Sequence, residues 1–158
     1  MKKIICITIF SLFSTFAISQ TSEDNIKEVQ NYIQNTSQTA WFDPINEKGS
    51  LEDGILFDKS YYILSNDEVF SIIFTLYDKT SVRKVFYYKE NQLIAAIIEE
   101  HDVNNSNKLL RYADYFYKNG TLINSTDEQK SFPSGEAYQE GTKLLKEYKL
   151  KNESNKNK

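Results

Sequence analysis

From Ser60 onward the apolar positions recur every second residue, the spacing of strands with one buried side. Residues 69–77 put Phe70, Ile72, Phe74 and Leu76 on one side and Ser71 and Thr75 on the other. Residues 61–64, 82–88, 93–99 and 109–117 read as further strands, each bounded by polar turn residues and rich in Ile, Tyr, Phe and Val. The ends of the chain have a different period. Ser22 starts a helical stretch as its N-cap, with Glu23 and Asp24 at the positive end of the dipole and Ile26, Val29 and Ile33 at helical spacing. This helix fades near Ser37, before Trp41-Phe-Asp-Pro44, and residues 46–58 read as a loop or short edge strand. After Asp127 the chain leaves the sheet. Ser134-Gly-Glu136 initiates a last helix with Ala137, Tyr138, Leu144, Leu145 and Tyr148 on its apolar side, and residues 151–158 form a polar, disordered tail. The pattern predicts an α+β domain over 20–150: N-terminal helix, antiparallel meander of about five or six strands, C-terminal helix. Both helices are expected on one sheet face.

The strongest internal signal is a repeated hairpin. Phe86-Tyr-Tyr-Lys-Glu-Asn-Gln-Leu-Ile94 aligns without gaps on Tyr115-Phe-Tyr-Lys-Asn-Gly-Thr-Leu-Ile123. Asn119-Gly120 is the clearest turn, since both residues tolerate positive φ. These hairpins, with the closing Gly141-Thr-Lys-Leu-Leu-Lys-Glu-Tyr148 helix, resemble a loose set of uncharacterised small exported bacterial proteins that join aromatic "YYF-x-NG-x-L" hairpins to a C-terminal amphipathic helix. The resemblance covers most of residues 60–150; it implies the architecture and transfers no residue roles. The hairpins also resemble MORN-type repeats, without the MORN glycines, so membrane binding is not carried over.

Residues 1–19 change the picture of where the chain works. Lys2 and Lys3 precede an apolar run from Ile4 to Phe16, and Ala17 and Ser19 place small side chains before Gln20. That is the three-part pattern of a secretory signal peptide cleaved after Ser19, so an exported protein, periplasmic or secreted, is expected. Cleavage would remove Cys6, the only cysteine, and would turn a net charge of −3 into −5. The exported chain would then have no disulfide and no thiol nucleophile. Its mild acidity and lack of a basic stripe argue against nucleic acid as a partner, and no stable membrane span is expected after cleavage.

Catalytic signals are few. His101, the single histidine, stands beside Glu99, Glu100 and Asp102, but no nucleophile elbow accompanies it. Asp102-x-Asn104-x-Ser106 begins like a calcium loop, yet Asn107 and Ala113 stand where the EF-hand pattern wants Gly and Glu. Glu99, Glu100, Asp102 and Asp114 offer carboxylates for glycoside hydrolysis, with no sign of a cleft. No phosphate-binding or dinucleotide motif appears. No metal site, no cofactor and no catalytic residue are assigned.

Aromatic residues are the compositional exception, at 14% with 11 Tyr and 10 Phe. Tyrosines on a sheet face that no helix covers would form an amphipathic platform for a protein or a sugar ring. Tyr87 and Phe116, equivalent in the two hairpins, are the ligand-binding candidates, and Trp41 is expected to plug the core between helix and sheet. The resulting expectation is a non-catalytic exported binding domain whose partner is a protein or cell-envelope component. A carbohydrate-binding module is the alternative, and a small hydrolase using His101 comes third.

Overall fold

The computed structural model describes residues 22–127 and 132–156; the expected signal peptide and its cleavage point lie outside the described residues. Helix α1 covers residues 22–39. Seven strands follow: β1 (Ile45–Ser50), β2 (Leu56–Ile63), β3 (Val69–Tyr77), β4 (Thr80–Lys89), β5 (Gln92–Asp102), β6 (Lys108–Lys118) and β7 (Thr121–Ser125). They form one antiparallel sheet in chain order, and helix α2 (Ser134–Lys156) closes the fold. The α+β layout of helix, meander and helix is the expected one. The two edge strands raise the count to seven. Neither has a strong period-two pattern: β1 is the polar run INEKGS and β7 is only TLINS. The tail expected from residue 151 is instead helical through Lys156, and Lys151 anchors it by an ion pair to Glu47 at 2.8 Å.

Alternation along β4 places the helices on opposite faces, not on the shared one that the sequence suggests. Phe86 lies under α2, where a Cβ added to Gly141 would stand 2.7 Å from its ring. Its neighbour Tyr87 points the other way and meets Phe70 edge-on at 5.6 Å, and Phe70 in turn meets Tyr32 of α1 at 6.1 Å. A sheet with an apolar stripe on both sides is most economically buried by one helix on each.

The main core lies under α2 and includes Ile72, Phe86, Tyr88, Ala96, Ala113 and Tyr115 with Leu144 and Leu145. Three tyrosines set the path of the helix. Tyr117 of β6 donates its hydroxyl to the Ser134 carbonyl, and Tyr88 of β4 donates to the Gly141 carbonyl, both at 2.8 Å. Tyr61 of β2 stacks on Tyr148 at 4.9 Å. Each step is seven residues of helix, about 10.5 Å of rise, against two strand spacings of about 9.6 Å. The helix therefore crosses the strands at a steep angle, two turns for every second strand.

The opposite face owes its second, smaller core to bulges. The β2–β3 register passes from Tyr62↔Ser71 to Ile63↔Val69 and skips Phe70. That extra residue reverses the side to which Phe70 points, so it parts from Ile72 and joins α1, against the simple alternation read from the sequence. Ile94 and Ile123 are skipped in the same way in β5 and β7, and both line a cleft of about 180 Å³ with Val29 and Tyr32 of α1.

Candidate functional site

Helix α1 covers only the turn end of its sheet face. Its polar ties run to the hairpin ends: Glu28 to Lys89 at 3.3 Å, Asn25 to Lys118 at 2.5 Å, and Ser22 to the Ile123 carbonyl at 3.3 Å. Tyr32 reaches the Tyr88 carbonyl. Below the aromatic contacts of Phe70 the sheet continues with neither described helix over it, and its side chains fall into rows set by the register.

One row runs Lys48, Asp58, Thr75, Arg83, Glu99 and Tyr112 across β1 to β6, each residue the direct cross-strand partner of the next. The row toward the sheet's lower end is Leu56, Tyr77, Ser81, His101 and Leu109, and the row toward α1 is Ser60, Ile73, Val85, Ile97 and Asp114. Charges on this face are paired with each other. Arg83 bonds Glu99 at 3.0 Å, Lys48 bonds Asp58 at 3.2 Å, and Asp114 accepts from the Thr126 amide at 3.2 Å and from the Thr126 hydroxyl. Tyr112 and Tyr77 are 43% and 40% exposed. Each donates its hydroxyl to a carboxylate on the same face: Tyr112 to Asp114 at 3.4 Å, Tyr77 to Asp58 at 3.3 Å. Partial burial first, and the adjacent carboxylate second, raise both phenol pKa values.

The two ligand-binding candidates lie on this side, one row nearer α1, with Ala95 between them. Phe116 is only 7% exposed. Tyr87 is half-buried against Phe70, and desolvation raises its pKa. They support the smaller core, and the accessible rings of the face are Tyr77 and Tyr112. Period-two reading finds the face but not the helix edge that divides it. Trp41 corrects a second expectation. It is 94% exposed, and the plug is its neighbour Phe42, stacked on Phe70 at 5.2 Å and edge-on to Tyr62 at 5.7 Å.

His101 has Ser81 directly across the ladder and Glu99 two residues away on the same face. Its ring nitrogens face other groups: Nδ1 lies 3.0 Å from the Asn107 carbonyl oxygen, and Nε2 lies 3.8 Å from the Glu99 carboxylate. A triad needs one nitrogen turned to the hydroxyl and the other to the carboxylate, and this ring offers the hydroxyl neither. The acidic residues nearby divide by face. Glu100 is buried on the α2 side, bonded to Arg111 and Thr80, while Glu99 and Asp114 face outward. Asp114 has Ile97 opposite it. The Asp102 carboxylate accepts from the Asn104 amide at 3.0 Å, and Ser106 and Asn107 have positive φ, so 103–107 is an Asx-type hairpin loop. Among the described residues no group of three or more His, Cys, Asp or Glu side chains is placed to hold a metal ion. No described helix is long and apolar enough to cross a membrane. No family model, curated protein or solved structure matches the chain.

Proposed function

We propose that the protein is a non-catalytic binding module, exported to the cell envelope or beyond, that engages its partner through the part of the sheet face that α1 leaves open. The observation that carries this reading is the division of that face. Its upper part is sealed by Phe42, Phe70 and α1, while the rows below present Tyr77, Leu109 and Tyr112 to solvent. A strand-built surface is stiff, so it binds with little ordering cost. The setting of the His101 ring, with Nδ1 against the Asn107 carbonyl oxygen and Nε2 3.8 Å from Glu99, supports binding over catalysis, and the pattern at residues 1–19 supports export.

Cysteine footprinting tests the reading. Cys6 is the sole cysteine, so Thr75→Cys and, as a control on the outer side of α2, Lys146→Cys can each be placed in a Cys6→Ser background. Envelope extract from the source cells is expected to slow maleimide labelling at position 75 and to leave position 146 unchanged. Equal labelling at both positions would exclude the open face as the binding surface. N-terminal sequencing of protein recovered from the envelope is expected to start at Gln20; a start at Met1 would remove the cleavage after Ser19, and absence of the protein from the envelope and the medium would remove the export reading.

A further inference from the structure

We infer that the open face takes a neutral glycan chain lying across the strands, with Tyr77 and Tyr112 as its two stacking rings. The inference rests on the binding reading above and specifies its ligand class. Three features of the face select the chemistry.

The first is charge. Lys48 and Asp58, and Arg83 and Glu99, are already paired, and Asp114 is held by Thr126 and Tyr112. A strongly charged ligand would have to break these pairs to gain its own. A polyhydroxyl ligand can instead add to them, because each carboxylate has spare acceptor capacity and the guanidinium has spare donors. The second is the composition of the middle row. Asp58, Thr75, Arg83 and Glu99 occupy the centre of the surface, where a protein interface is usually depleted of charge. Sugar hydroxyls are suited to planar carboxylate and guanidinium groups of this kind. The third is the setting of the rings. A tyrosine whose hydroxyl bonds a carboxylate on its own face is drawn down along the sheet, which leaves ring surface free for the C–H face of a sugar. Tyr77 on β3 and Tyr112 on β6 are three strand spacings apart across the sheet, about 14 Å, and one row apart along it, about 7 Å, so their backbones are about 16 Å apart. That separation fits an oligosaccharide bridging the rings better than a single sugar.

Affinity electrophoresis of the full-length protein through gels containing dextran, mixed-linkage β-glucan or galactomannan, with alginate as an anionic control, tests this. Retardation by at least one neutral glycan and not by alginate is expected. Tyr112→Ala and Tyr77→Ala should each weaken it by about tenfold, Tyr112→Phe should keep most of it, and Trp41→Ala should leave it unchanged. Thermal unfolding of each variant checks that the loss is not a loss of fold. Retardation that survives both alanine substitutions would overturn the inference, since the glycan would then bind elsewhere. No retardation by any neutral glycan, with position 75 still protected by extract, would overturn the glycan and keep the binding reading. No retardation and no protection would overturn both.

Discussion

At Gly141 the absence of a side chain lets α2 approach the sheet. A Cβ there would lie 2.7 Å from the Phe86 ring and 3.0 Å from Leu93, both buried in the main core. Replacing a helical glycine by alanine normally gains about 1 kcal/mol of propensity, but overpacking a core costs about 1–3 kcal/mol. Gly141→Ala should therefore be a net loss of up to about 2 kcal/mol, seen as a lower denaturation midpoint; a higher midpoint would show that α2 can move outward freely. Trp41 and Phe42 make the opposite case, one residue apart. Both suit a core plug by type, and only the turn from α1 into β1 decides that Phe42 enters and Trp41 does not. Trp41 is the only tryptophan and is 94% exposed, so its emission should already be that of a hydrated indole in the native state and should shift little on unfolding. A blue-shifted native spectrum would mean that something covers it.

Among the elements, the repeated hairpin is legible in the sequence and its purpose is not. Tyr88 and Tyr117, the third residues of the two copies, tie α2 to the sheet. The last residues, Ile94 and Ile123, are the bulge residues that line the cleft under α1. One motif thus serves both faces, which alternation alone hides because a bulge reverses the side without changing the composition. Phe70 departs from its alternating neighbours for the same reason. The two tight turns show how far turn chemistry can be read. Asn119 and Gly120 have φ of 50° and 77°, and Glu90 and Asn91 have φ of 52° and 62° in the equivalent turn. Both central residues of such a turn need positive φ, which suits Asn-Gly and strains Glu. Replacing Glu90-Asn91 by Asn-Gly should stabilise the protein by about 1 kcal/mol, measured by urea unfolding. A loss of stability would mean that Glu90 contributes more at the α1 cleft than its backbone costs.

Across the whole molecule, buried tyrosine hydroxyls join the layers, and their titration should set the alkaline limit of the fold. Tyr88 and Tyr117 donate to α2 carbonyls, Tyr61 to Glu47 of β1 at 3.1 Å, and Tyr115 to Asp127 at 2.8 Å. Burial is the main cause that raises all four phenol pKa values, with the carboxylate partners adding to it at Tyr61 and Tyr115. In the unfolded chain these phenols titrate near their ordinary value of about 10. Below that pH both states hold the protons and these groups give stability no pH dependence. Above it the unfolded chain releases protons that the folded protein keeps, so stability falls as pH rises. Lysine ion pairs weaken in the same range, and tyrosinate absorbance separates the two causes. Exposed tyrosines should ionise gradually in the native protein, whereas these four should ionise together, in the same step as the loss of circular dichroism. The Tyr88→Phe, Tyr117→Phe double variant should unfold more easily at neutral pH, by about 2 kcal/mol for two lost hydrogen bonds. It should also lose stability less steeply above a pH of about 10, having two fewer protons to release. Should all the tyrosines titrate smoothly while the circular dichroism stays native, the hydroxyl ties between α2 and the strands do not control the stability of the fold in alkali.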